Sequence, residues 1–174
     1  MTIDESAKSL LDSEFVSERT RTVITNRLEQ PLIRHNFFSF DQFELLKCVI
    51  EILIPQQNES FNVDIAGEID LMLSEGQSKG WRFEWCAPLE EMYTEGLKNL
   101  DAIADEKYGL NFITLWKDKQ VELLDELYKK VDEGERSPMY GFLKEFLVDV
   151  TEVYYSHPLV QVSIGIDAWG DHRE

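Results

Sequence analysis

Between residues 139 and 154 the apolar side chains fall at Met139, Phe142, Leu143, Phe146, Leu147, Val150, Val153 and Tyr154, three and four apart for a little over four turns. That spacing lines one face of an α-helix and is incompatible with the two-residue alternation of a strand. Ser137-Pro138 in front of it supplies an N-cap and a first-turn proline, and His157-Pro158 closes it. A chain with this block must bury a long helical face. The question becomes how many other helices are there to bury it.

The same period recurs upstream. Leu89, Met92, Tyr93, Gly96, Leu97, Leu100, Ile103 and Ala104 trace one face, with Pro88 as first residue and Gly109 as C-terminal cap. Val121, Leu123, Leu124, Leu127, Tyr128 and Val131 mark another helix, closed by Gly134, and Phe112, Leu115 and Trp116 before it read as a short helical turn. Ser39 and Gln42 form an S-x-x-Q capping box with Phe38 and Phe43 in the staple positions. Phe43, Leu46, Ile50, Leu53 and Ile54 follow, and Pro55 stops the run. Asn62 is the expected cap of a helix carrying Ile65, Ile69, Met72 and Leu73 up to Gly76. A narrow stripe of Val23, Ile24 and Leu28 predicts a helix from Glu14 to Glu29, ended by Pro31.

Three stretches lack the period. Residues 1–12 read as a flexible N-terminus, leaving 13–174 as one helical domain. Trp81, Phe83 and Trp85 alternate with Arg82 and Glu84, which suits a short extended segment or an irregular loop. The tail from Leu159 onward, with Gly165, Trp169 and Gly170, reads as an irregular arm or a short strand. The expected fold is an all-α, single-domain bundle of about five to six helices with an irregular C-terminal arm.

Charge narrows the partners. With 17 basic and 34 acidic residues in 174, the formal net charge is −17. A nucleic-acid binder must neutralise phosphates and an anionic membrane attracts cations, so nucleic acid is set aside and an anionic membrane surface is disfavoured, whereas a basic protein face is attracted. No apolar run has the length of a membrane span. The opening Met1 to Ser6 lacks a cationic segment followed by an apolar one, and Arg19-Thr20-Arg21 is not an adjacent arginine pair. The expectation is a cytoplasmic chain, the alternative being periplasmic by co-export with a partner.

Catalytic patterns are missing from the sequence. His35, His157 and His172 stand neither three nor four residues from one another or from a cysteine, and no glutamate has a histidine three positions later. Compact zinc and helical di-iron patterns are therefore not met. The phosphate-cradling glycine loops and the G-x-S-x-G elbow do not occur. Glu90-Glu91 and Asp125-Glu126 fall on polar helix faces and read as solvated charge. Cys48 reads as core packing, and a Cys48–Cys86 disulfide is allowed by the count without being supported by it. No catalytic, cofactor-binding or metal-binding residue is expected in this chain. His157 reads first as a helix C-terminal histidine complementing the dipole, and second as a contact with a partner or ligand. Aromatics and arginines in loops are favoured interface anchors. On that ground Trp81, Arg82, Trp85, Tyr155, His157, Pro158 and Trp169 are the candidate contacts, against the plainer reading that the aromatics lid the bundle.

The order of the motifs adds a resemblance. Phe40-Asp41-Gln42-Phe43-Glu44-Leu45-Leu46, Ile52-Leu53-Ile54-Pro55 and Val63-Asp64-Ile65-Ala66-Gly67-Glu68-Ile69-Asp70 resemble the opening of the gluconate 2-dehydrogenase subunit 3 family. Gly96-Leu97-Lys98-Asn99-Leu100-Asp101, Phe112-Ile113-Thr114-Leu115, Gln120-Val121-Glu122-Leu123-Leu124 and Tyr155-Ser156-His157-Pro158 with Ile164-Gly165 resemble its later parts. The likeness runs from about residue 20 to about 170, and its specificity lies in the ordered set. It implies a non-catalytic small subunit, chaperone-like, that stabilises the large FAD-binding subunit of a sugar or polyol dehydrogenase. That large subunit would be of the glucose–methanol–choline (GMC) type, with a cytochrome c as electron acceptor in some complexes. FAD would lie in the partner and none in this chain. Family members with a twin-arginine signal export their partner, and this chain departs from that pattern. Two rivals are a stand-alone helical enzyme, which a deep polar pocket joining His157 to Glu or Asp would favour, and a helical small-molecule-binding or regulatory protein.

Overall fold

The computed structural model describes residues 3–29, 36–56, 61–77, 87–134 and 136–170. Among these it contains eight α-helices and no strand. They are α1 (Ile3–Leu11), α2 (Glu18–Glu29), α3 (Phe40–Leu53), α4 (Ile65–Ser74), α5 (Leu89–Tyr108), α6 (Lys117–Asp132), α7 (Pro138–Ser156) and α8 (Pro158–Ser163), with a 3-10 turn at Phe112–Thr114. The all-α expectation holds, with more helices than the five or six expected. The two additions are the ends. Residues 3–11, expected to be flexible, form α1 with Ala7 and Leu11 buried. The start of the C-terminal arm is a helix as well, and α1 packs on it. Both are too short for periodicity to announce them: α8 has six residues, fewer than two turns.

Local chemistry explains the other boundaries. Ser39 accepts from the Gln42 N–H at 3.3 Å while the Gln42 side chain accepts from the Ser39 N–H at 3.2 Å, which is the expected capping box. Ser137 caps α7 with Pro138 behind it. Gly109 ends α5 at φ 71°, a left-handed conformation that glycine reaches without strain. The cap of α4 is Asp64 and not Asn62. The Asp64 carboxylate accepts from the Gly67 N–H at 3.0 Å, and a Cβ at position 67 would overlap that carboxylate. Pro88 is the N-cap of α5 and lies one residue outside it. The second helix starts at Glu18, not Glu14, and within its expected stripe Ile24 is buried while Val23 faces out.

The central helix is α7, packed against α4, α5, α6 and α8. It meets α5 closely, because a Cβ at Gly96 would coincide with the Phe142 ring. Around that approach sits an aromatic cluster. Tyr93 meets Phe142 and Phe146 edge-on at 5.5 and 5.9 Å, and Phe142 stacks on Phe146 at 5.3 Å. All three are fully buried, each side chain stabilising the fold by about 1.5–3 kcal/mol relative to exposure. One continuous cluster gathers side chains from α3 through α8.

Among the described residues, three polar side chains are buried inside this apolar frame. Asp70 on α4 accepts N–H groups from Asn36, Phe37 and Phe38, fixing the chain that enters α3. Asp149 on α7 accepts from the Tyr93 hydroxyl at 2.7 Å. Gln120 donates to the Phe112 carbonyl at 3.0 Å, tying α6 to the 3-10 turn. Each provides the partner that a polar group inside a protein requires.

Candidate partner surface and polar cleft

The solvent side of α7 and the cleft beside it carry the features that distinguish this molecule from a plain bundle. An outward helix face is ordinarily polar. Here Leu147, Val148 and Tyr155 are 38%, 44% and 52% exposed. Thr151 lies between them, its hydroxyl donating to the Leu147 and Val148 carbonyls at 2.7 and 2.9 Å. The outward face thus mixes these apolar side chains with exposed Lys144 and Glu152. Tyr155 is held edge-on against Tyr154 at 5.1 Å.

Next to this face, α2, α4 and α7 enclose a cleft of about 220 Å3 that contains Arg27, Glu68, Gln77, Glu152, Ser156 and His157 over a floor of Met72 and Val153. Arg27 crosses it and donates to the Ser156 carbonyl at 3.0 Å. Burial, reinforced by the neighbouring Asp64, raises the Glu68 carboxyl above its ordinary range, and Arg27 opposes the rise. His157 ends α7 and simultaneously caps α8, its Nδ1 accepting the Leu159 N–H at 3.3 Å. That role requires a neutral ring with its proton on Nε2. Burial first and Arg27 second hold the imidazole below its ordinary value. A neutral N-cap differs from the dipole-complementing cation expected at the end of α7. The Ser156 hydroxyl donates to the Val153 carbonyl at 3.3 Å. The cleft's natural nucleophile and base are therefore both engaged with backbone.

The expected contacts are placed as follows. Trp81, Arg82 and Trp85 lie outside the described residues, as do His35, Cys86 and His172. Tyr155 faces solvent, Pro158 is buried at the first position of α8, and His157 lines the cleft. Trp169 is partly buried and donates its indole N–H to Gln161 at 2.9 Å, closing the arm back onto α8. Tyr155, His157 and Pro158 thus share one joint, and Trp169 reaches back to the helix that follows it. Sequence reasoning passed over Trp116, which is 82% exposed at the N-cap of α6 beside exposed Ile113 and Leu110. It also passed over Leu147, which its helical spacing assigned to the core, and Val148, which the stripe did not include. The signal available was the width of the α7 stripe, which is broader than one buried face.

Elsewhere, Cys48 is a half-buried thiol whose pKa burial raises, and its sulfur accepts from Gln120 at 3.3 Å. Asp125 and Glu126 are exposed, paired with Lys129 and Lys107 at 2.6 Å each. A wider groove of about 560 Å3 runs along α3, past Phe43, Lys47, Ile50 and Ile54. Among the described residues there is no group of three or more His, Cys, Asp or Glu placed to hold a metal ion, and no helix is long and apolar enough to cross a membrane.

Comparison with curated proteins and with solved structures returned no match. A family model does match, over residues 40–169, starting some twenty residues later than the motif resemblance suggested. It spans α3 through α8 and leaves α1 and α2 outside. With well over half of its length covered, the chain belongs to the gluconate 2-dehydrogenase subunit 3 family.

Proposed function

We propose that this chain is a non-catalytic accessory subunit of an FAD-dependent sugar or polyol dehydrogenase, stabilising a large flavoprotein subunit of the GMC type in a chaperone-like manner. The observation that carries the reading is family membership across the whole α3–α8 bundle. The exposed apolar side chains of α7 support it, since such side chains grouped on one element mark protein contacts. In this reading FAD and substrate oxidation belong to the partner, and a cytochrome c takes the electrons in complexes that contain one.

The polar cleft favours a second reading, a stand-alone helical enzyme, because it brings His157 together with Glu68 and Glu152. Its size argues for the first. At about 220 Å3 it falls below the roughly 300–1,000 Å3 of ordinary ligand sites. Ser156 and His157, bonded to backbone, are not poised as nucleophile and base.

Co-expression with the GMC-type flavoprotein encoded nearest to the chain tests the proposal. The expected result is a stable complex and a large subunit that loses FAD and solubility when expressed alone. A chain that elutes alone beside a fully flavinylated, soluble large subunit overturns it.

A further inference from the structure

His157 occupies the joint where two attachments of the N-terminal helices meet. It is the single residue between α7 and α8, and its Nδ1 is the acceptor that caps α8. The first attachment is α8 itself, on which both α1 and α2 pack. The second is Arg27, which reaches from α2 to the carbonyl of Ser156, the residue before His157. The buried side chains of the N-terminal helices and their connection, Ala7, Leu11, Val16 and Ile24, stand outside the core cluster. Both attachments therefore matter to them.

A proton on the imidazole bears on both. A protonated ring donates from each nitrogen and accepts at neither. The Leu159 N–H would lose its partner, and a helix of six residues has little besides its cap to hold its first turn. The same proton places a positive charge beside the Arg27 guanidinium. Burial and Arg27 both oppose that charge in the closed form, so an open form takes the proton more readily.

The other charges of the cleft are Glu68 from α4 and Asp149 and Glu152 from α7. Asp149 accepts the Tyr93 hydroxyl and Glu152 is exposed. Glu68 is drawn towards its neutral form by burial and by Asp64. No charged side chain lies on α8. On α1, which packs against it, Asp4, Glu5 and Lys8 are all exposed, and Lys8 is bonded to Asp4.

We propose that His157 is an acid-operated latch: its protonation uncaps α8, repels Arg27 and releases α1 and α2 from the bundle, baring the side of α8 on which α1 packs. The latch lies within this chain and stands apart from the accessory-subunit reading.

Amide exchange of the full chain between pH 7.5 and 5.5, corrected for intrinsic rates, tests it in wild type, His157→Asn and Arg27→Gln. Asparagine keeps an N-cap acceptor and takes up no proton in this range. In the wild type the opening constant of α1 and α2 rises on acidification, by up to about tenfold, the ceiling for one proton on a group whose ordinary value is 6.5. His157→Asn abolishes the rise, and Glu68, which titrates in both proteins, cancels from the comparison. Arg27→Gln opens α1 and α2 further at pH 7.5 and reduces the rise, since the repulsion is gone. Exchange in α1 and α2 responds weakly to dilute denaturant while that in α5 responds strongly, as expected of opening without global unfolding. A wild-type opening constant that does not change with pH overturns the latch, as does an equal pH dependence in His157→Asn. A denaturant response in α1 and α2 equal to that of α5 overturns the release of the cover as a unit. Should His157→Asn not fold, a rise in Arg27→Gln as steep as in the wild type overturns the coupling at this joint.

Discussion

The bundle α3–α7 and the layer made by α1, α2 and α8 are built on different amounts of buried apolar surface. In the bundle the aromatic cluster of Tyr93, Phe142 and Phe146 is fully enclosed and continuous with buried leucines from every helix. Residues 3–29 bury Ala7, Leu11, Val16 and Ile24, none of which joins that cluster. The layer is attached through α8 and through polar ties such as Arg27 to the Ser156 carbonyl. The family match draws the line one helix later, covering the bundle and α8, whose Val160 joins the core cluster, and leaving out α1 and α2. The part with its own core is the part that the family model describes. The N-terminal helices are a cover that depends on the short C-terminal helix beneath them, and a cover of this kind opens at lower free energy than the core.

Substitutions can break or sharpen that contrast. Phe142→Ala removes a ring from the enclosed cluster and costs about 3–5 kcal/mol, seen as a fall in the midpoint of global denaturant unfolding. Asp70→Ala strips the acceptor from three successive N–H groups inside the bundle. It costs about 3 kcal/mol in the same measurement. Leu11→Ala costs about 2 kcal/mol but acts locally: amide exchange speeds up in α1 and α8 while the global midpoint stays put. Should Leu11→Ala lower the global midpoint as Phe142→Ala does, the two regions are one cooperative unit and the contrast is gone.

A smaller effect comes from pH at the seam between the regions. His157 has its ordinary value of 6.5 in the unfolded chain and a lower one when folded. Between those values the unfolded form binds more protons, so acidification favours opening. Stability at this joint is full above pH 6.5 and falls as the pH drops through 6.5 towards the folded value. Glu68 acts with the opposite sign, because its folded value is raised above 4.5. Just above pH 4.5 the folded form binds the proton first, and that contribution is lost as pH rises through the folded value. Exchange protection of α8, corrected for intrinsic rates, is expected to weaken on acidification below 6.5 in the wild type and to be flat in His157→Gln. A wild-type profile as flat as that of the variant removes His157 from the joint.

The bundle was legible because its signals are local. The capping box at Ser39 and Gln42, the Ser137-Pro138 start and the Gly109 stop each act within one turn. The burial of Asp70 was not legible, since its partners lie some thirty residues upstream and nothing near it marks it as anything but polar surface. Asp64 displaced Asn62 as a cap because both are good caps two residues apart, and Gly67 gives the Asp64 carboxylate room. For the candidate surface, Tyr155 was picked out by its position near the tail. Leu147 was hidden because apolar spacing reports a helix without reporting which of its sides meets another element, while Val148 fell outside the stripe and Trp116 was read as part of a short helical turn.

One residue, His157, separates α7 from α8. Most connections between helices tolerate changes in length, because a loop absorbs an added residue. A joint of a single residue has no such slack. Inserting one amino acid there would swing α8 by about 100° about its axis and carry Val160 out of the core. It would also turn the surface that receives α1. The register between these two helices therefore has no room for a change in length, and a one-residue insertion there would shed the N-terminal cover while leaving the bundle standing.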